Sequence, residues 1–126
     1  MNLPVPFVVP LTGQADADAV QTIQFPFGVM ITAVTVQPGS FTGTPTGFTV
    51  DLNVDVADTP TATAVAALAA NTAGTPAHWL SKHHQGTDEV IRVAKNTDVT
   101  IDVNLAGGTS PTVTGIVTLW FVQGTV

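Results

Sequence analysis

The chain has no cysteine and no tyrosine, a single glutamate (Glu89), and only three basic side chains, Lys82, Arg92 and Lys95. Without cysteine there is no disulfide framework, no thiolate nucleophile and no sulfur ligand for zinc, so stability must come from packing or assembly. A phosphate-binding surface needs clustered Lys and Arg, and a chain of net charge −6 with so few of them is not a nucleic-acid binder. The same scarcity argues against electrostatic docking on anionic membranes. No apolar run approaches the roughly 18 to 20 residues that span a bilayer. The N-terminus, MNLPVPFVVPLTGQADA, lacks the Lys or Arg of a secretory signal, and Pro4, Pro6 and Pro10 break its apolar stretch. The expectation is a soluble, unprocessed chain that binds neither nucleic acid nor membrane.

What is present points to β-structure. Threonine makes up about one residue in six, and valine and alanine are abundant. Val and Thr are β-branched and fit a pleated surface. Eleven glycines and nine prolines among 126 residues punctuate the chain into short segments. That pattern predicts a single all-β domain, a sandwich or barrel of seven to nine strands. Leu3 to Gly13 alternates proline with Val and Phe, which rules out a central strand. It is expected to be an extended arm, residues 1–13, ahead of a sandwich domain, residues 14–126. Pro4, Pro6, Phe7, Val8, Val9 and Pro10 would dock either on a neighbouring subunit or, as a first edge strand, on the chain's own sheet.

Phe48 to Val56 and Val99 to Leu105 alternate cleanly. Phe48, Val50, Leu52, Val54 and Val56 fall on one face, with Val99, Ile101, Val103 and Leu105 as their counterparts. Each such side chain, fully buried, contributes about 1.5 to 3 kcal/mol. Val20 to Phe27 and Val29 to Gln37 do not alternate, which predicts strands covered on both faces. Pro38-Gly39-Ser40 reads as a turn. Thr59 to Ala70 is ambiguous: a short helix capped by Thr59 with Pro60 at its first position is favoured over a Thr-rich strand. Val113 to Val122 is the most apolar run and is expected to be a central strand, with Trp120 packed in the core.

Residues that could carry chemistry are few. Asp51-Leu52-Asn53-Val54-Asp55 mimics the opening of a calcium loop, but Val56 stands where glycine is needed and Ala62 where a bidentate glutamate is needed. A half-buried strand with a polar outer face produces the same spacing. Should the two alternating strands be neighbours, Asp102 and Asn104 would join that face, and the carboxylates would need an offset or a cation. His78, His83 and His84 match no zinc spacing. Ser81 lies near them without a nucleophile-elbow motif, and paired acids for glycoside hydrolysis are missing around Glu89. No catalytic residue, metal or cofactor is assigned. All three histidines and all three basic side chains fall between His78 and Lys95, while seven of the nine acids lie outside that window. This favours an oriented contact with an acidic partner surface as much as a plain polar loop. Trp79, Lys82, His83 and His84 are therefore candidate interface residues.

One pattern resembles a known group. FPFGVMITAVTVQPGSFTGTPTGFTVDLNVD, the strand Thr97 to Asn104, the turn Gly107 to Pro111 and the strand Val113 to Val122 are similar to segments of bacteriophage virion proteins. The likeness covers roughly residues 24 to 122, is interrupted at about 59 to 87, and excludes the stretch HWLSKHHQG. It implies a jelly-roll sandwich that forms homotrimers, serving as a capsid decoration (cement) protein, a head fibre or part of a tail adsorption structure. A chain starting at Met1 without a coiled-coil shaft fits the decoration role best. The expectation is thus a non-enzymatic virion protein on the outer capsid surface, partnered by itself and the major capsid protein. The alternative is a carbohydrate-binding receptor-adsorption module using Trp79, the histidines and the acidic strand face.

Overall fold

A computed structural model describes residues 3–54, 63–69, 77–80 and 91–124, with 63–69 and 77–80 described through their backbone. Among the described residues nine strands follow in order: β1 (Val5–Gln14), β2 (Ala17–Ile23), β3 (Val29–Thr42), β4 (Gly47–Val54), β5 (Thr63–Ala69), β6 (Ala77–Leu80), β7 (Ile91–Val93), β8 (Val99–Ala106) and β9 (Thr112–Gln123). They form two antiparallel sheets. One has the order β1-β9-β3-β6, with β7 also paired to β3; the other is β2-β8-β4-β5.

This pairing is that of a hairpin folded about its middle and rolled into two layers. The first strand pairs with the last, the second with the one before it, and so on inward to β4 with β5. Alternate pairs then fall in opposite sheets, which is the jelly-roll arrangement. The inner faces meet in one core: Val9, Leu11, Ile31, Val34, Val36, Val117 and Leu119 from the first sheet against Phe48, Val50, Leu52, Val99, Ile101 and Val103 from the second. Phe25 and Phe121 close one end, with ring centroids 4.7 Å apart, and Phe41 meets Phe48 edge-on at 5.6 Å at the other.

The alternation read in β4 and β8 holds from Phe48 to Leu52 and from Val99 to Leu105; at the end of β4 Asn53 is buried and Val54 half-buried, and Asp55 and Val56 lie outside the described residues. Three other expectations are corrected, and the choice left open for the N-terminal segment is decided. The failure of β3 to alternate does not mark a strand covered on both faces. Val29 and Ile31 point inward, then Val34 and Val36 do, because the register with β9 shifts between Ile31 and Ala33. Thr32 is the extra residue of a β-bulge, which shifts the in–out phase by one residue. Pro38-Gly39-Ser40 is no turn either: β3 runs through it with a second register shift between Pro38 and Ser40.

Thr63–Ala69 is a strand rather than helix. Its alanines favour helix locally, but the exposed edge of β4 offers backbone partners along the whole segment, and pairing with that edge prevails. Thr59 and Pro60 lie outside the described residues. Finally, the N-terminal segment is an edge strand on the chain's own sheet. Val5–Gln14 pairs with β9 from Val5↔Phe121 to Gln14↔Val113. The boundary expected after residue 13 therefore falls inside β1, and Val9 and Leu11 are core residues.

The prolines are placed by the same pairing. Pro4, Pro6 and Pro10 share one parity, and neighbouring residues in a strand turn their amides to opposite sides. Continuous pairing with β9 must then run through Val5, Phe7, Val9 and Leu11, leaving the proline nitrogens on the free edge.

Two loops seal one end of the sandwich. The Thr109 N–H donates to the Gly43 carbonyl at 2.9 Å and the Thr46 N–H to the Ala106 carbonyl at 2.8 Å. Close backbone approach also explains Gly115 in the middle of β9, since a Cβ there would sit 2.4 Å from the Gln37 carbonyl oxygen.

Candidate interaction faces

The two outer faces differ in chemistry. On the four-stranded sheet, β4 pairs with β8 so that Asp51 lies directly opposite Asp102, Thr49 opposite Asn104 and Asn53 opposite Thr100. Like charges so placed destabilise a sheet. Here each carboxylate takes an amide from the diagonal neighbour: Asn53 Nδ2 donates to Asp102 Oδ2 at 2.7 Å, and Asn104 Nδ2 donates to Asp51 Oδ2 at 2.9 Å. The other oxygen of Asp102 accepts the Ala19 N–H at 2.7 Å, where β2 leaves register with β8 and Ala19 has φ of 50°. Asp102 thus anchors an irregular edge as well as the acidic pair. Asp16, in the β1–β2 connection, similarly accepts the Leu105 N–H at 2.8 Å. It lines a cavity of about 420 Å³ with Ser110, Pro111 and Thr112.

The calcium-like run is accordingly strand where described: Asp51 to Val54 belongs to β4 and its polar groups bond across to β8. Among the described residues no group of three or more His, Asp or Glu side chains is arranged to hold a metal ion.

The outer face of the five-stranded sheet is apolar and threonine-rich. Rows run across it from β1 through β9 to β3: Pro6–Trp120–Ala33, Val8–Thr118–Thr35 and Pro10–Ile116–Gln37. Met30 and Val122 pair below, with Arg92 of β7 beside Met30. Val8 is 53% exposed and Ile116 46%. No acidic residue occurs in β1, β3, β6, β7 or β9; the described acids belong to β2, β4, β8 or the connections leading into β2 and β8.

Trp120 stands on this outer face, partly exposed, and not in the core. Its strand neighbours decide the matter: Val117 and Leu119 are buried, so the even positions turn outward. The sequence carried that signal. Thr112, Thr114 and Thr118 share the parity of Ile116, Trp120 and Val122, which marks a half-polar outer side within an otherwise apolar run.

The other candidate interface residues divide. Pro6, Val8 and Pro10 lie on the apolar face, Phe7 and Val9 turn toward the core, and Pro4 precedes β1 at the exposed edge. His78 and Trp79 belong to β6, paired with Thr35 and Val34. Lys82, His83 and His84 lie outside the described residues. The described strands that flank them are placed: β6 ends at Leu80, paired with Ala33, and β7 begins at Ile91, paired with Ile31, on either side of the Thr32 bulge.

Compared with protein families, with curated proteins and with solved structures, the chain matches none.

Proposed function

We propose that this chain is a structural virion protein that decorates and stabilises the outer surface of a phage capsid as a homotrimer. It acts by assembly and not by catalysis. Its partners are copies of itself and the major capsid protein. The observation that supports this reading is the strand order. Resemblance to virion proteins implies a jelly-roll sandwich, and the hydrogen-bonded pairing gives that order independently of the resemblance. A sandwich whose two outer faces differ, one without acids among the described residues and one acidic, also suits a protein buried on one side and wet on the other. Many modest contacts, repeated over a shell, reinforce it through avidity.

The test is incubation of the purified protein with undecorated capsids, followed by sedimentation and thermal disruption. Co-sedimentation and a raised disruption temperature are expected; a chain that leaves both unchanged does not have this function. Trp120, partly exposed between Pro6 and Ala33, favours one second reading, a carbohydrate-binding adsorption module. Saturable glycan binding lost on Trp120→Ala, without capsid binding, would select it.

A further inference from the structure

We infer that the outer face of the five-stranded sheet is where copies of this chain bury one another, sheet face against sheet face. This rests on the homotrimer reading and names the surface it uses. The occupant is a second copy of the chain.

Charge decides first. Each copy carries a net −6, so association is opposed unless the acids stay apart. All described acids lie on the four-stranded sheet or the connections leading into it, and none on the strands of the other sheet. The two layers of a sandwich are about 10 Å apart, so packing through the five-stranded sheet keeps Asp51 and Asp102 of each copy at least that far from the partner's nearest surface. Packing through the four-stranded sheet would press them together.

Size comes next. β1, β9 and β3 have 10, 12 and 14 residues and the fourth lane is made of β6 and β7, with 4 and 3; at about 3.3 Å per residue and about 4.8 Å between strands, the footprint is on the order of 700 Å². A standard stable interface buries roughly 800 Å² per partner. The face is therefore about the size of one standard interface, which in a trimer each copy shares between its two neighbours. Its centre sets Val8, Ile116 and the aromatic Trp120 around Thr118, and aromatic residues are enriched in the buried part of interfaces.

For this sheet, geometry also disfavours the usual alternative for a β protein, the pairing of edges. On the free side of β1, Pro4, Pro6 and Pro10 have no N–H to give, so a strand laid against it would find donors only at Val8 and Thr12. The opposite edge is divided between β6 and β7. Association through this sheet must use side chains.

The absence of native cysteine makes a direct test simple. Ile116→Cys, labelled with pyrene, places one probe at the centre of the face; Thr49→Cys places the same probe on the acidic face. Excimer emission is expected from the first and not from the second, and its loss on dilution should follow the fall in mass by light scattering. Val8→Asp and Ile116→Asp, both at exposed positions, should reduce an assembled mass to that of the monomer while the far-ultraviolet circular dichroism is retained. Three results would overturn the inference. One is monomeric wild-type protein at high concentration; another is unchanged mass in both aspartate variants. The third is unchanged mass with loss of capsid binding, which would assign the face to the shell. Wild-type assembly through this face without any capsid binding would instead uphold the inference and remove the virion reading.

Discussion

Asp51 and Asp102 sit directly opposite each other on neighbouring strands, and each accepts a hydrogen bond from the asparagine diagonal to it. The sequence showed two acidic strand faces that would conflict if paired; the fold pairs them and resolves the conflict with amides. A hydrogen bond to a charged group is worth about 1.5 to 3 kcal/mol. Asn53→Ala should therefore lower stability by about that much in urea denaturation. Asn53 is 6% exposed, so water cannot fully replace the lost donor. A cycle combining Asn53→Ala with Asp102→Asn should show a coupling above about 0.5 kcal/mol; additive effects would show that the pair does not interact.

The prolines of β1 should act on solubility more than on stability. Pro6→Val combined with Pro10→Val restores two amides to the free edge and keeps β-compatible side chains. The double variant is expected to aggregate at concentrations where the parent stays clear, read by light scattering and a thioflavin signal. An unchanged aggregation threshold would mean that this edge is closed by something else.

Gly115 is expected to resist any side chain. Gly115→Ala puts a methyl against the backbone of β3, which cannot rotate away as a side chain can. A loss of about 1 to 3 kcal/mol follows from such overpacking, measured as a lowered denaturant midpoint with an unchanged m-value.

The bulge at Thr32 makes a less obvious prediction. Deleting Thr32 leaves Ile31, Val34 and Val36 with ordinary alternation, because the bulge is where the surplus residue is stored. Deleting Thr35 reverses the phase between two core positions and drives Val36 outward. The first variant should retain cooperative unfolding, the second should lose it. Circular dichroism and thermal melts separate the two.

Those same residues explain how much could be seen beforehand. β8 and most of β4 were legible because nothing interrupts their period of two, and the all-β class followed from composition. β3 misled because two bulges reset its phase, and a sequence has no mark for an unpaired residue. Thr63–Ala69 misled because helix propensity is local, whereas the open edge of β4 is a property of the folded sheet. Trp120 was placed in the core by the apolarity of its run, although the threonines two and six positions before it had already set its side. The apolar face itself was invisible as a unit, since its residues come from β1, β3 and β9 and meet only through register.

The divided edge of the first sheet has a meaning for variation. β6 ends at Leu80 and β7 begins at Ile91, and their partners Ala33 and Ile31 flank a single residue. Chain that departs and rejoins at one point can change in length at small cost, since doubling a loop adds only about 0.6 kcal/mol of closure entropy. The end of β6 and the start of β7 thus stand where the sheet has already accepted an interruption. The same place would carry an inserted cargo, such as an affinity tag or an epitope, without altering one pairing elsewhere in the sandwich.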